Sequence, residues 1–106
     1  MLRVKTVEDP ICFEWDEGNS QKNWIKHKVS VQEAQQVFFD EKKIVYKDVP
    51  HSVDEDRYIV LGKTEAAQVL FVVYTLRGSK VRIISARKAN RKEVLLYEKE
   101  NSVAKI

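Results

Sequence analysis

The chain contains few of the residues that cross-link, kink or break a fold. Its 106 residues include one cysteine, three glycines and two prolines. Cys12 cannot form an internal disulfide, so we expect it to be a small packed apolar residue, and its isolation points to a reducing compartment. None of the glycines stands in a Gly-x-Gly arrangement, which excludes the glycine-rich fingerprints of nucleotide-binding proteins.

Long apolar runs are also missing. Residues 1–15 mix charges of both signs, unlike a signal peptide, and no later stretch approaches the roughly 18 to 20 apolar residues of a membrane span. We therefore expect a cytoplasmic protein, folded as a single domain over residues 1–106. His27 and His51 are isolated and Cys12 has no ligand at finger-like spacing, so neither a metal nor another cofactor is predicted.

The positive charge is concentrated late in the chain. The net charge is only +3, from 19 basic and 16 acidic residues. A run with no acidic residue in it contains Arg77, Lys80, Arg82, Arg87, Lys88, Arg91 and Lys92. This asymmetry suggests a face that binds a polyanion such as RNA or DNA. The alternative is a solvated surface whose charge the acidic segments balance in three dimensions.

The segment from Gln68 to Lys88 predicts the centre of a sheet. Val69 to Leu76 and Val81 to Ala86 read as two strands joined by Gly78-Ser79, the strongest hairpin signal in the chain. With a two-residue loop, Arg77 lies opposite Lys80 and Thr75 opposite Arg82 on one face, whereas Leu70 and Arg87 share the other. One residue of slip would reverse the faces of one strand relative to the other.

The rest of the chain predicts helices around this hairpin. Strands are expected at Ile11 to Trp15, Lys43 to Val49 and Arg57 to Gly62, with residues 1–10 as an extended lead-in. A short helix is expected from Asn19 or Ser20 to about Lys28. Ser30 with Glu33, and Asn90 with Glu93, form capping boxes that start helices ending near Asp40 and Glu100. The result is an α+β domain, with helices grouped against an antiparallel sheet of about four to five strands.

Arg, Lys, His and Glu residues remain as the chemical groups. Such a set can cleave RNA without a metal, because the substrate carries its own nucleophile in the 2'-hydroxyl. The protein must orient that hydroxyl, remove its proton, stabilise the phosphorane charge and protonate the leaving oxygen. Arginine suits the charge and histidine suits the proton transfer.

Three segments together resemble the BrnT family, the toxin half of a bacterial type II toxin-antitoxin pair. They are FEWDEGNSQKNWIKHKVSVQEAQQVFFD, HSVDEDRYIVLG and LFVVYTLRGSKVRIISARKANRKEVLLYE, which span Phe13 to Tyr97 in the family's order. The resemblance implies a RelE-like fold with two N-terminal helices and one C-terminal helix. It also implies metal-independent ribonuclease activity that inhibits translation, and a BrnA-like antitoxin that binds in a hetero-oligomer with paired toxin copies.

By that resemblance, the active-site residues are expected to be Lys26, His27, Arg77 after the YT strand and Arg87 in the ISAR motif. From the chemistry, we assign His27 as acid or base, Arg77 and Arg87 to the scissile phosphate, and Lys26 as an electrostatic aid. Because a two-residue loop puts Arg77 and Arg87 on opposite faces and at opposite ends of the hairpin, either the loop is longer or only one of them contacts that phosphate. Residues expected to contact flanking RNA are Trp15, Arg57, Arg82, Lys88 and Arg91, with Trp15 as a base contact.

Two points stay open at this level. Family members usually have glycine where this chain has Lys28, and a left-handed turn there would cost lysine about 1 kcal/mol. The same basic face would also serve a non-catalytic RNA- or DNA-binding module, or a protein that binds an acidic partner. Salt-sensitive binding without turnover would distinguish the binding module from an enzyme.

Overall fold

The computed structural model describes residues 2–3, 11–15 and 28–103, and at 2–3 and 102–103 the backbone alone. The strands are β1 (Leu2–Arg3), β2 (Cys12–Phe13), β3 (Ile44–Lys47), β4 (Arg57–Lys63), β5 (Val69–Arg77) and β6 (Lys80–Lys88). The α-helices among these residues are α1 (Val31–Gln36) and α2 (Arg91–Val103). Short 3₁₀ turns cover Val37–Phe39 and Val49–His51.

The strands form one mixed sheet of order β1-β3-β4-β5-β6-β2. Strands β3 to β6 make the antiparallel meander that the alternating apolar segments predict, so that part of the prediction is confirmed. The prediction of a wholly antiparallel sheet is wrong, because β2 pairs with β6 in parallel. Residues 2–3, expected only as a lead-in, add a further edge strand beside β3. Both additions are two residues long, too short for alternation to reveal their pairing.

The two helices pack on opposite faces of the sheet. Val29, Ala34, Val37 and Phe38 lie in one buried cluster with alternate residues of the strands, including Leu70, Val72, Tyr74, Val81, Ile83 and Ala86. Tyr97 of α2 lies in a second cluster with Ile44, Tyr46, Leu61 and Val69. The helices are therefore not grouped on one side, and β5, apolar on both of its faces, is covered from both.

Both predicted capping boxes are present. At α1, Ser30 Oγ accepts a hydrogen bond from the Glu33 amide at 3.1 Å, and Glu33 Oε1 accepts one from the Ser30 amide at 3.0 Å. Asn90 and Glu93 make the same reciprocal pair at the start of α2. The predicted helix from Asn19 or Ser20 to about Lys28 lies outside the described residues, apart from its last position.

Asp40 ties the helices to the sheet. Its carboxylate accepts hydrogen bonds from the backbone amides of Lys42 and Lys63, at 2.9 and 2.8 Å, and from the hydroxyl of Tyr97. Burial raises the pKa of the Tyr97 phenol, and the hydrogen bond to Asp40 and its charge raise it further. The end of the helical segment 31–39 is thus joined to α2 and to the last residue of β4.

The β5–β6 hairpin has the predicted turn but a different register beyond it. Arg77 lies opposite Lys80 and Thr75 opposite Arg82, which confirms the two-residue loop. Further along, Tyr74 pairs with Ile83 but Val73 pairs with Ser85, so Ile84 is an extra residue in β6. This β-bulge shifts the alternation, and Arg87 lies opposite Phe71 rather than Leu70. The prediction that Leu70 and Arg87 share a face is therefore wrong.

Candidate active site

Four arginines lie on one face of the sheet. Residues directly opposite each other on neighbouring strands project to the same side. Arg57 and Arg82 flank Thr75 in one row, Arg77 follows nearer the turn, and the bulge brings Arg87 to the same side. We call this set, Arg57, Arg77, Arg82 and Arg87, the arginine face. It is the face against which α2 packs, further back along the strands.

Glu14 joins the arginine face from the edge strand. Its amide donates to the carbonyl of Val81 at 2.8 Å, which continues the parallel pairing one residue past β2. Its Oε1 lies 3.5 Å from Nη1 of Arg77 and 3.4 Å from Nη1 of Arg82. The Arg82 side chain is only 12% exposed, whereas that of Arg77 is 50% exposed. One carboxylate oxygen is thus shared between a sheltered and an accessible guanidinium.

Arg87 is engaged in a different way. Its guanidinium stacks on the ring of Phe71, 4.0 Å from the centroid, and makes two parallel hydrogen bonds of 2.8 Å to the carboxylate of Glu93. Partial burial alone would raise the pKa of Glu93, but the hydrogen bonds from Arg87 and from the Asn90 amide, with the charge of Arg87, lower it. Arg87 therefore fixes the first turn of α2 to the sheet.

Arg77 and Arg87 lie far apart along the hairpin, although both were predicted to bind the scissile phosphate. Both project to the same face, but Arg87 is level with Phe71, six residues along β5 from Arg77. At the usual rise of a strand this separation is about 20 Å between backbones. Arg77 and Arg82 are instead the pair that converges, on Glu14.

Arg57 completes the row at the start of β4. Both backbone polar groups of Arg57 are hydrogen-bonded. The amide donates to Ser52 Oγ at 2.9 Å, and the carbonyl accepts from the Asp48 amide at 2.8 Å. Within the part of the chain that the structure describes, its guanidinium has no hydrogen bond or ion pair. The carboxylate of the neighbouring Asp56 pairs instead with Lys47 Nζ, at 3.2 Å.

Three predicted RNA contacts lie apart from this set. Lys88 is exposed but pairs with Leu70, on the α1 side of the sheet. Arg91 is exposed at the start of α2. Trp15 is partly buried and packs against the α1-side cluster. Lys26 and His27 lie outside the described residues, so their positions relative to the arginine face stay predictions.

The sequence interpretation missed two groups at the same end of the sheet. Glu14 was not among the predicted site residues, although its place between Phe13 and Trp15 puts it on the opposite side from two aromatic residues that pack against the core. His51 was set aside as isolated, yet its Nδ1 lies 2.9 to 3.0 Å from both carboxylate oxygens of Asp48. The i, i+3 spacing of Asp48 and His51 was the available signal.

A carboxylate that holds Nδ1 of an imidazole leaves Nε2 for proton transfer. The His51 side chain is 69% exposed, so such a transfer would be to a molecule in solvent. Across the described ranges, no three His, Cys, Asp or Glu side chains are grouped to hold a metal ion.

A family model, described as the ribonuclease toxin BrnT of a type II toxin-antitoxin system, matches residues 15–93. The chain belongs to the BrnT family. The matched range covers well over half of the chain and contains the whole β3–β6 meander. A BrnT toxin is one half of a toxin-antitoxin pair, so an antitoxin is its implied partner. No curated protein sequence matches the chain.

The whole arginine face of this BrnT chain lies inside the matched range. Arg57, Arg77, Arg82 and Arg87 fall within it, and Glu14 lies one residue before it begins. Neither helix in the described segments is long and apolar enough to cross a membrane.

Proposed function

We propose that the protein is an endoribonuclease that cleaves RNA through its 2'-hydroxyl without a metal ion, and so inhibits translation. The observation that carries this proposal is the convergence of Arg77 and Arg82 on one carboxylate, within a chain of a ribonuclease toxin family. Two fixed positive charges at one point suit a phosphoryl group whose charge increases in the transition state.

In this mechanism, Arg77 and Arg82 bind the non-bridging oxygens of the scissile phosphate. Arg82 is held in place by its burial, and Arg77 is accessible at the end of β5. A preorganised donor of this kind typically contributes on the order of a hundredfold or more to the rate. Arg57, in the same row, binds the next phosphate along the strand.

The remaining predicted residues take supporting roles. His27 transfers a proton and Lys26 adds positive charge near the phosphate. Lys88 and Arg91 hold phosphates further along the RNA, and Trp15 is the predicted base contact. Arg87 binds a phosphate only after releasing Glu93, so we assign it first to positioning α2.

The partner in this proposal is a BrnA-like antitoxin, in an assembly with paired toxin copies. It inhibits the toxin by covering the arginine face, which both polyanionic RNA and an acidic protein surface can bind. The meander with its flanking helices supports the RelE-like label. A toxin whose substrate is cellular RNA acts in the cytoplasm, the predicted compartment.

Cleavage in the presence of EDTA tests the activity. Purified protein is incubated with single-stranded RNA of mixed sequence, and the new ends are analysed. We expect a 2',3'-cyclic phosphate and a free 5'-hydroxyl, the products of 2'-hydroxyl attack. Arg77→Ala and Arg82→Ala should each lower kcat/KM by on the order of a hundredfold, whereas Lys99→Ala, at an exposed site on α2, should change it little.

Absence of cleavage by correctly folded protein would contradict the proposal. If the protein instead binds RNA or DNA in a salt-sensitive manner without turnover, the non-catalytic binding module is the correct function. In that case the arginine substitutions would lower affinity and nothing else.

A further inference from the structure

The roles assigned above include Arg77 and Arg82 but give none to Glu14, the carboxylate on which both arginines converge. We propose that Glu14 is the general base that removes the proton from the 2'-hydroxyl. This inference rests on the proposed ribonuclease function and adds a catalytic residue to it.

The chemistry of cleavage requires a base beside the phosphate-binding groups. The 2'-oxygen and the phosphorus that it attacks belong to the same nucleotide, so the base must lie next to the residues that hold the phosphate. Arginine cannot serve, because its guanidinium stays protonated in proteins, whereas an ionised carboxylate is a pure acceptor. Glu14 is the carboxylate that contacts both Arg77 and Arg82.

A structural ion pair is the competing explanation, and the protein contains one for comparison. Glu93 and Arg87 make two short hydrogen bonds of 2.8 Å in a parallel fork. Glu14 contacts its arginines through one oxygen, at 3.4 and 3.5 Å. Those distances are at the limit of a hydrogen bond. The contacts of Glu14 with these two arginines are therefore longer than those of the Glu93 fork, and they involve one carboxylate oxygen.

The backbone of Glu14 is nevertheless fixed. Its amide is paired with Val81 of β6, the strand that also carries Arg82. The side chain is 30% exposed, so a substrate can reach it. A group on a rigid strand with an accessible carboxylate meets the two structural requirements of a preorganised base.

The step balances as a transphosphorylation. The 2'-hydroxyl proton moves to the Glu14 carboxylate while the 2'-oxygen forms a bond to phosphorus. The bond between phosphorus and the 5'-oxygen breaks, and that oxygen takes the proton assigned to His27 in the proposed function. Arg77 and Arg82 hold the charge of the intermediate, and the product is the cyclic phosphate.

Glu14→Gln tests the assignment, with Glu41→Gln at an exposed turn as the matched control. The probes are single-stranded RNA for cleavage and the same sequence with 2'-O-methyl riboses for binding. Glu14→Gln should lower kcat by on the order of a hundredfold or more, with affinity for the methylated strand unchanged or higher. The fall of kcat/KM that a carboxylate base causes at acid pH should be present in wild type and absent in Glu14→Gln.

The outcomes separate the two proposals. If Glu14→Gln cleaves RNA as well as the wild type does, the role of Glu14 is overturned and the proposed ribonuclease function stands. Equal losses of cleavage and of methylated-RNA affinity also overturn it, because Glu14 would then only position the arginines. Inactive wild type overturns both proposals. If Glu14→Gln fails to fold, Glu14→Asp and the wild-type pH profile decide, since a carboxylate base predicts activity in the first and the acid fall in the second.

Discussion

Lys28 occupies a backbone conformation that suits glycine. Its φ is 55°, in the left-handed region, and the chain passes from it into buried Val29 and the Ser30 cap. The family resemblance had led us to expect a left-handed turn at this position. Ala67, with φ of 64°, has the same conformation in the turn between β4 and β5. Each Cβ in this region costs about 1 kcal/mol relative to glycine.

Lys28→Gly should therefore raise the free energy of unfolding by about 1 kcal/mol. Chemical denaturation measures the change, and Ala67→Gly should act in the same direction. Lys42→Gly is the control, because that exposed turn residue is outside the left-handed region and gains only freedom in the unfolded chain. A Lys28→Gly protein less stable than wild type would show that the lysine side chain contributes more than its backbone costs.

At the scale of elements, the first turn of α2 is attached to β6 by charge as well as by packing. Glu93 caps the Asn90 amide and binds the Arg87 fork with the same carboxylate. Because its pKa is lowered in the folded protein, this attachment contributes stability above the ordinary value of 4.5. The contribution is lost as the pH falls through the lower, folded value.

Glu93→Gln should lower the free energy of unfolding at neutral pH by about 1 kcal/mol, a value kept small because Arg87 is partly exposed. The difference from wild type should shrink as the pH falls below 4.5. Denaturant titrations at neutral and acid pH give both quantities, with Glu41→Gln as the control. A difference that stays constant with pH would show that the loss comes from packing rather than from the ionised carboxylate.

The elements also show which features local sequence could predict. Ser30 with Glu33 and Asn90 with Glu93 act within four residues, so their capping boxes were predicted correctly. The hairpin turn at Gly78 was equally local. The bulge at Ile84 was not predictable. Ile84 is one of several β-branched residues in β6, and it is not a residue type that marks a turn. The pairing of β2 with β6 joins distant parts of the chain and was missed for that reason.

For the whole molecule, the charge pattern predicted a cluster of basic residues but not the face on which each one lies. Arg77 and Arg82 share one side of the sheet, as the two-residue loop predicted, whereas Arg87 joins them only because of the bulge. The partner of Arg87 and the position of Glu14 depend on which strands are neighbours, a property that composition and alternation do not contain. Arg77 and Arg87 were both assigned to the scissile phosphate, but Arg87 lies opposite Phe71, six residues along β5 from Arg77.

Affinity for RNA should depend on the charges of the arginine face. With a net charge of only +3, the molecule depends on the arginine face rather than on overall attraction. The logarithm of affinity for 2'-O-methyl RNA should fall linearly with the logarithm of salt concentration. Arg57→Ala should reduce that slope by about 0.7, the value for one phosphate contact of a single strand.

Lys99→Ala is the matched control for the salt titration, since it removes the same charge from an exposed position on α2. An unchanged slope in Arg57→Ala, with the fold intact, would remove Arg57 from the RNA-binding surface.

The bulge at Ile84 also has a genetic consequence. Loss of that single codon would leave the net charge at +3 and keep every arginine. It would restore simple alternation in β6 and turn Arg87, with its bond to Glu93, toward the α1 side. Inactivation of the toxin would then need no change in any charged or catalytic residue. Among mutants selected for survival without antitoxin, in-frame deletions in β6 should therefore occur beside substitutions of the arginines themselves.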